Sequence, residues 1–329
     1  MFDPRRVRRQ IEEARRAASG RRWPATFADR LTAPLPRARD VLRMMRQWPP
    51  RAQLLADADQ VPVHRQAELP RVGLDQTAVT WVGHATYVVQ IGSLIVLTDP
   101  VWSRRIPGVS ARYTPVGLDW DALPRVDAVV ISHNHYDHLD APTIRRLPRG
   151  TPLLVPGGLG WWFRRRGFRD VTELDWYEST AIEDVRFEFV PAHHWSRRTL
   201  TDSCRSLWGG WMFTAPDGTK VYFAGDTGYG HFFDEIGRRH PGIDLALLPV
   251  GAYEPNWFMK PVHMSPPEAV RACADLGARR MATMHWGTFL LSAEPLLAPV
   301  IRAREAWEEA GRAREDLWDL AIGETRILP

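Results

Sequence analysis

The sequence predicts an α+β fold in which two β-sheets pack face to face and helices cover their outer sides. From Ala78 onward, three short apolar runs follow one another with turn residues between them, which is typical of a meander of strands. From Ala128 onward, strand-like and helix-like patterns alternate. A hydrophobic content of 44% with 25% charged residues indicates a globular chain with a sizeable core.

The elements can be placed in order along the chain from apolar runs, periodicity and turn residues. Strands are expected at 79–82, 87–91, 94–97, 128–132, 153–155, 185–190, 208–213, 220–224, 245–250 and 281–285. Helices are expected at 142–147, 158–166, 232–239, 266–276 and 296–311.

Residues 1–75 differ from the rest in being rich in Arg and Pro, and we expect them to form a helical and irregular extension of a domain spanning 76–329. Residues 1–50 hold 13 Arg against 5 acidic residues, so the later chain is acidic although the net charge is +4. Val7, Ile11, Ala14 and Ala18 recur at helical spacing among these arginines. Such a helix could equally well lie on an anionic membrane surface, dock on a partner protein or remain exposed to solvent.

The composition also excludes several classes of protein. No apolar run is long enough to cross a bilayer, and the N-terminus lacks a secretory signal, so we expect a cytoplasmic location, with the basic N-terminus compatible with peripheral association at the inner membrane face. Cys204 and Cys273 lie far apart and indicate neither a disulfide framework nor a structural zinc site. No nucleic-acid motif accompanies the basic segment, so no nucleic-acid partner is expected. A homodimer is compatible with the sequence.

The strongest chemical signal follows the strand predicted at 128–132. His133, His135, Asp137 and His138 fall within six residues, and imidazole and carboxylate are the ligands that zinc prefers. Alternate side chains of a turn point the same way, so His133 and His135 can share one centre while Asp137 and His138 face a second. Chance clustering in a polar loop is the alternative, but three of only 11 histidines fall here beside a carboxylate.

Four later residues extend this motif into a constellation. His193 and His194, Asp226 and His285 each come just after a predicted strand. Strand ends at one edge of a sandwich can converge on a shared site, whereas each residue alone would more often be structural.

Several motifs resemble the metallo-β-lactamase fold superfamily, and in detail the family of phospholipases D that hydrolyse N-acylphosphatidylethanolamine. The superfamily signature is HxHxDH followed by a His, an Asp and a final His at strand ends. The resemblance covers about residues 78–329 and rests on TWVGHAT at 80–86, LTDP at 97–100, ISHNHYDHLD at 131–140, HW at 194–195, RTL at 198–200, AGDTGY at 224–229, GAYEP at 251–255 and HWGTF at 285–289.

The resemblance implies a four-layer αβ/βα metallo-β-lactamase sandwich with two Zn²⁺ ions per chain, in preference to iron or manganese. It implies that one zinc is held by His133, His135 and His194, that the other is held by Asp137, His138 and His285, and that Asp226 bridges them. His194 is preferred to His193 because the family's His-Trp pair matches His194-Trp195. If His193 were the ligand, the register of the preceding strand would shift by one.

The resemblance further implies a zinc-dependent phosphodiesterase. A metal-bridged hydroxide would cleave a glycerophospholipid head group to give phosphatidic acid and an N-acylethanolamine, so a phospholipid or another phosphodiester is the expected partner. Asp137 and His263 are the catalytic candidates, with His84 as the alternative to His263 and Asp99 as a support for a ligand.

Three other functions stay open at this point. They are a lactonase or phosphodiesterase acting on a soluble sugar-phosphate or nucleotide, a di-iron oxidase, and a non-catalytic binding protein. The segments Trp161-Trp162-Phe163 and Trp257-Phe258-Met259 are candidates for an apolar lip around acyl chains, with Arg164, Arg165 and Arg166 beside the first, or for ordinary core and surface residues.

Overall fold

Short runs of β-branched and aromatic residues form strands that are almost wholly buried, and helices fall between the later ones. The structure is a computed structural model that describes residues 21–73, 75–109 and 111–329. The strands are β1 Ala78–Gly83, β2 Thr86–Ile91, β3 Leu94–Thr98, β4 Ala128–Val130, β5 Leu153–Pro156, β6 Val171–Leu174, β7 Ser179–Ile182, β8 Val185–Val190, β9 Gly210–Thr214, β10 Lys220–Phe223, β11 Leu245–Pro249, β12 Arg280–Met284, β13 Leu317–Trp318 and β14 Thr325–Ile327. The helices are α1 Ala38–Arg46, α2 Arg51–Leu54, α3 Ala141–Arg146, α4 Gly160–Arg164, α5 Phe232–Arg239, α6 Asn256–Met259, α7 Pro266–Asp275 and α8 Ala298–Glu309.

Among the described residues the strands form two sheets of seven. The first has the order β14-β1-β2-β3-β4-β5-β6 and the second β13-β12-β11-β10-β9-β8-β7. In the first sheet β14 and β1–β3 are antiparallel neighbours, and β3–β6 run parallel. In the second, β7–β10 are antiparallel neighbours and β10–β13 run parallel. Each sheet therefore joins a meander to a set of parallel crossovers, which confirms the predicted α+β sandwich.

The alternation of side chains in β2 and β4 shows how the layers stack. Val89 and Val130 belong to the core between the sheets, whereas their neighbours Val88 and Val129 belong to a second cluster on the outer face of the first sheet. Ile144 of α3 and Phe163 of α4 complete that outer cluster. On the other side α7 packs on β11 and β12, and α5 and α8 pack on α7. A sheet that is buried on both faces requires this four-layer arrangement.

The strands that the sequence failed to predict carry weak patterns. In β7 the residues alternate between exposed and half-buried, so no apolar alternation marks the strand. In β14 all three residues are at least partly exposed, and β13 has only two residues. The sequence also failed to predict β6. All four are outermost strands, where a strand is held by its neighbour's backbone and needs little apolar sequence of its own.

Residues 21–73 lie along the sandwich. Phe27, Leu54 and Val61 are buried, and the His64 amide donates to the Ile322 carbonyl at 2.7 Å. The helix predicted through Val7–Ala18 lies outside the described residues, and the division between 1–75 and 76–329 stays a prediction. Within the described ranges, no helix combines the length and apolar character needed to cross a bilayer.

Candidate metal centre

The predicted ligands come from four strand ends at one edge of the sandwich. β4 leads into the turn that carries His133, His135, Asp137 and His138, and β8, β10 and β12 lead to His194, Asp226 and His285. Because β10, β11 and β12 are parallel, Asp226 and His285 leave the second sheet at the same edge. The structure brings all seven predicted ligand side chains together there.

Left-handed backbone conformations occur at one donor, His285, and at two residues that contact donors. His84, Asp99 and His285 have φ values of 55°, 34° and 65°, a left-handed region that non-glycine residues rarely adopt. Because Gly251 has no side chain, its backbone can lie directly against that of His285. A Cβ at Gly251 would lie 1.9 Å from the His285 carbonyl oxygen. Unfavourable backbone conformations of this kind persist where surrounding contacts enforce them, and they are common at functional sites.

Three imidazoles form the first group of donors. His133 Nε2 and His135 Nδ1 are 2.9 Å apart, and His194 Nε2 lies 3.2 Å from the same His135 atom. The His194 ring is oriented from behind, because its Nδ1 lies 3.0 Å from the Val262 carbonyl oxygen. With Nδ1 donating to that carbonyl, Nε2 keeps its lone pair for a ligand bond.

Asp137, His138 and His285 form the second group. Asp137 Oδ2 lies 3.5 Å from His138 Nε2 and 3.7 Å from His285 Nε2. Asp226 stands between the groups. Its Oδ2 is 3.1 Å from His138 Nε2 and 4.0 Å from His133 Nε2, while its Oδ1 is 3.1 Å from His285 Nε2. The carboxylate therefore reaches both groups, as a bridging ligand would.

The donor set fits a pair of divalent cations. Four donors about 2.1 Å from one zinc ion would be about 3.4 Å from each other, and the separations above bracket that value. Among the described residues, buried donor atoms in this cluster lack hydrogen-bond partners, namely His135 Nε2, His138 Nε2, Asp226 Oδ1 and His285 Nε2. Leaving such atoms unpaired is unfavourable, and coordination would satisfy those that face an ion.

Asp99 supports two of the histidines from outside the cluster. Its Oδ2 lies 2.7 Å from His138 Nδ1 and accepts the Ser132 hydroxyl at 2.5 Å, and its Oδ1 accepts the Ser132 amide at 2.7 Å. Ser132 Oγ is also 2.9 Å from His133 Nδ1. One carboxylate therefore orients His138 directly and His133 through a serine, leaving both Nε2 atoms to face inward. The role of Ser132 had no sequence signal beyond its place before His133.

Charge within the cluster is concentrated on one side. Although burial opposes the charged form, Asp226 and Asp137 raise the pKa of His138 well above its ordinary value and that of His285 to about 9. Burial, with the neighbouring imidazoles, holds the pKa of His133 and His194 well below the ordinary value. The two carboxylates thus favour the protonated forms of His138 and His285 in the second group. A metal ion that binds there would displace those protons.

The two remaining histidine candidates take different positions. His84 Nε2 lies 3.1 Å from Asp137 Oδ2, so this buried ring holds the carboxylate in place. His263 lies between the rings of His194 and His285, at centroid distances of 5.2 and 5.4 Å, and its Nδ1 has no partner among the described residues. Burial lowers the pKa of His263 to about 4, so its imidazole is neutral at pH 7.

His193 points away from the cluster. Its ring packs on Phe232 at a centroid distance of 4.7 Å, and its backbone pairs with Gly228. The structure therefore places His194, and not His193, among the donors.

A cavity of about 600 Å³ lies against the metal-ligand turn, where Asn134 belongs to its lining, but none of the seven donors lines it. Trp161, Trp162 and Tyr136 line it together with Arg166 and Arg198. The Arg198 guanidinium lies 4.2 Å from the centroid of the Tyr136 ring and donates to the Asn134 carbonyl at 3.1 Å, so it braces the metal-ligand turn. In the sequence Arg198 belongs to the RTL motif, which does not indicate this contact.

The aromatic and arginine segments divide between packing and this cavity. Phe163 is buried in the core, and Arg164 is paired with Glu173 at 2.7 Å, so neither is available as a lip or anion contact. Arg166 stacks on Trp162 at 3.6 Å, and Trp257 is 39% exposed.

A four-layer sandwich with histidines and aspartates gathered at its strand ends defines a metal-dependent hydrolase of the metallo-β-lactamase type. Residues 95–286 match the β-lactamase superfamily domain. The N-acyl-phosphatidylethanolamine-hydrolyzing phospholipase D 1 of Caenorhabditis elegans is 38% identical over 261 residues, which are 74% of this chain and 72% of that protein. The chain belongs to this superfamily and, within it, to the family of the N-acyl-phosphatidylethanolamine-hydrolysing phospholipases D.

Two further comparisons extend this result. An uncharacterized protein of Mycobacterium tuberculosis is 43% identical over 242 residues, which are 70% of this chain and 64% of that protein. The match thus spans slightly less than two thirds of the mycobacterial chain. A metallo-hydrolase from the archaeon Ignicoccus hospitalis superposes with a TM-score of 0.59 at 22% identity, covering 77% of this chain and 99% of the other, which supports the fold.

Proposed function

We propose that this protein is a binuclear zinc phosphodiesterase that removes the head group of an N-acylated glycerophospholipid. Water would be added across the bond between phosphorus and the ethanolamine oxygen, giving phosphatidic acid and an N-acylethanolamine. The observation that carries the proposal is the double donor group joined by Asp226. The name of the nematode relative supports the substrate class.

The donor groups suggest how the metal ions would be held. His133, His135 and His194 would hold one ion, Asp137, His138 and His285 the other, and Asp226 would bridge both. When bound, such a pair lowers the pKa of water and neutralises charge on a phosphoryl group. Asp99, Ser132 and the Val262 carbonyl keep the histidine donors turned inward, so the geometry is set before substrate arrives.

Asp137 and His263 have further tasks in the proposed reaction. The Asp137 carboxylate would serve as a ligand and accept a hydrogen bond from the attacking water, and His84 holds it at 3.1 Å. Because burial keeps the pKa of His263 low, its neutral ring has no extra proton to transfer. It would therefore donate its one N–H as a hydrogen bond to the phosphoryl or leaving oxygen and would not transfer a proton to the leaving group.

The cavity that lies against the metal-ligand turn suits a group that is both anionic and apolar. Trp161 and Trp162 provide apolar walls for a chain, and Arg166 and Arg198 provide cationic groups for a phosphate. Burial and nearby arginines lower the pKa of Arg166, which indicates a crowded cationic region that an anion would stabilise.

The test compares three substrates on zinc-loaded protein: N-acylphosphatidylethanolamine in detergent, bis(p-nitrophenyl) phosphate and a simple lactone. Release of N-acylethanolamine, followed by mass spectrometry and abolished by chelation, is the expected result. Hydrolysis of the lactone alone, or of the soluble phosphodiester alone, would replace the lipid substrate with one of those classes. Zinc bound at about two ions per chain without hydrolysis of any ester would remove the enzymatic proposal.

A substitution tests His263 separately. His263→Ala should lower turnover at least about tenfold while bound zinc stays unchanged, because a positioned hydrogen-bond donor in the site is lost. His231→Ala is the matched control, since that histidine is exposed and lies outside the cluster. An unchanged rate in His263→Ala, or an equal loss in both variants, would contradict the assignment.

A further inference from the structure

Helix α1 turns its apolar stripe toward solvent. Val41, Leu42 and Met45 follow Ala38 at spacings of three, four and seven residues, so they lie on one face. Their exposed fractions are 37%, 50% and 63%, and no residue of α1 is buried. We call Val41, Leu42 and Met45 the docking face.

This orientation is the reverse of the usual one for a helix on a globular domain. An amphipathic helix normally places its apolar stripe on the core, and a contiguous exposed apolar face marks a surface that another body covers. The helix is fixed from its other side, because Gln47 just after it accepts the Trp257 indole N–H at 2.8 Å and the Arg43 guanidinium lies 4.3 Å from the centroid of the Trp257 ring. Its stripe is therefore presented outward by a defined attachment.

The charge around the docking face is strongly positive. Between residues 37 and 51 there are five arginines and one acidic residue, Asp40. The Asp40 carboxylate accepts the Arg37 amide at 3.0 Å and so serves as the cap of α1. An apolar stripe beside arginines is the composition of a helix that lies in the interface of an anionic bilayer.

We infer that α1 docks this protein on an anionic lipid bilayer, with Val41, Leu42 and Met45 entering the interface and the neighbouring arginines meeting anionic head groups. A second copy of the chain is a poorer occupant, because a twofold contact would place the same arginines opposite one another. Residues 1–20 are also a poorer occupant, since they carry six arginines against three acidic residues. Charge complementarity thus favours the bilayer.

The docking face is linked to the candidate metal centre. Trp257, which anchors α1, belongs to α6, and the chain runs from α6 directly to Val262 and His263. The Val262 carbonyl contacts His194, and His263 faces the donor cluster. Docking through α1 would therefore hold the rim of the site near the source of a lipid substrate. This purpose rests on the proposed function, whereas the docking itself does not.

Vesicle flotation of the full chain tests the inference without catalysis. The probes are vesicles of phosphatidylcholine alone and vesicles of equal parts phosphatidylcholine and phosphatidylglycerol. Wild type should bind the anionic vesicles in preference. Leu42→Ser with Met45→Ser should weaken that binding at least about tenfold, because two apolar side chains are lost from the interface. Arg39→Gln with Arg46→Gln should weaken it about fivefold for each charge removed.

The matched control is Ile301→Ser, which removes a residue of α8 that is 44% exposed and distant from α1 in the chain. It should bind like wild type. Because all these side chains are exposed, thermal unfolding midpoints should stay unchanged. Wild-type binding by both double variants would overturn the inference. A second outcome would also overturn it: wild type is a dimer, and the Leu42→Ser, Met45→Ser variant becomes a monomer but still binds vesicles. The docking face would then be the contact between two copies of the chain.

Hydrolysis of bis(p-nitrophenyl) phosphate separates this result from the proposed function. Its rate should be the same in wild type and in the α1 variants, since α1 contributes no donor to the cluster. If wild type binds anionic vesicles through α1 but hydrolyses no phosphodiester, the docking stands and the proposed function fails. If it hydrolyses the phosphodiester but does not bind vesicles, the docking fails and the phosphodiesterase stands.

Discussion

Replacing Asp99 by Asn is the sharpest test of how the candidate metal centre is organised. The two carboxylate oxygens accept hydrogen bonds from the Ser132 amide, the Ser132 hydroxyl and His138. An asparagine has nearly the same shape but only one accepting oxygen. Its amide nitrogen must then face either His138 or the Ser132 amide, both of which need an acceptor.

The expected effect on metal affinity follows from that mismatch. Removing a group that orients a ligating histidine typically weakens metal binding about 10- to 100-fold, which is about 1.4 to 2.7 kcal/mol. The metal-free protein should also lose about 1–3 kcal/mol of stability, because a buried donor is left unpaired. Zinc affinity would be measured by competition with a fluorescent chelator, and stability by urea unfolding of the metal-free protein.

Asp140→Asn provides the matched control. Asp140 is also buried, but it accepts hydrogen bonds from Thr143 and the Ser103 amide at the start of α3 and contacts none of the seven donors. This variant should lose stability without losing zinc affinity. If Asp99→Asn bound zinc as tightly as wild type, or if both variants lost the same affinity, the reasoning about Asp99 would be refuted.

Two further predictions concern the backbone before Asp226 and an ion pair remote from the site. Gly225→Ala should lower activity at least about tenfold and reduce bound zinc, since its Cβ would lie 2.4 Å from Ser132 Cβ at a φ of 61°. Gly218→Ala, at a φ of 92° with open space around it, controls for backbone strain alone, and equal zinc content in the two variants would contradict the steric argument. Glu188→Gln should destabilise the protein by about 1–2 kcal/mol at pH 7, because the hydrogen bond to His240 and neighbouring arginines hold the pKa of Glu188 below its usual value despite burial. This stabilising contribution of Glu188 is present above the carboxyl pKa of the unfolded chain and is lost as the pH falls through the lower pKa of the folded state. Urea unfolding curves of the two proteins should therefore converge in acid. A difference in stability that stays constant down to pH 3 would disprove the prediction.

The sequence predicted the interior of the fold better than its edges. β2, β3 and β4 were recognisable because buried strands need apolar residues on both faces. β7 and β14 were not, since an outermost strand is defined by pairing with a distant segment, and that pairing leaves little trace in local composition.

The candidate site divides in the same way. The turn at 133–138 could be predicted as a metal site from its residue types and their spacing, and the family motif distinguished His194 from His193. The structure then supplied what motifs cannot, namely the chain of contacts from Asp99 through Ser132 to His133, and the bracing of that turn by Arg198. Asp99 was expected to support a ligand, but Ser132 and Arg198 are ordinary residue types whose contacts no local pattern specifies.

The donor cluster has a consequence for the mechanics of the whole molecule. The donors of the first sheet all follow β4, and those of the second sheet follow β8, β10 and β12. Any ion bound by donors of both sheets would therefore link the two halves of the sandwich at one edge. Elsewhere the halves are joined by close-packed apolar side chains and by single hydrogen bonds such as that from the Tyr87 hydroxyl to the Thr283 carbonyl at 2.8 Å. Loading with metal would therefore stiffen this edge most, and stripping it would let the halves part there first.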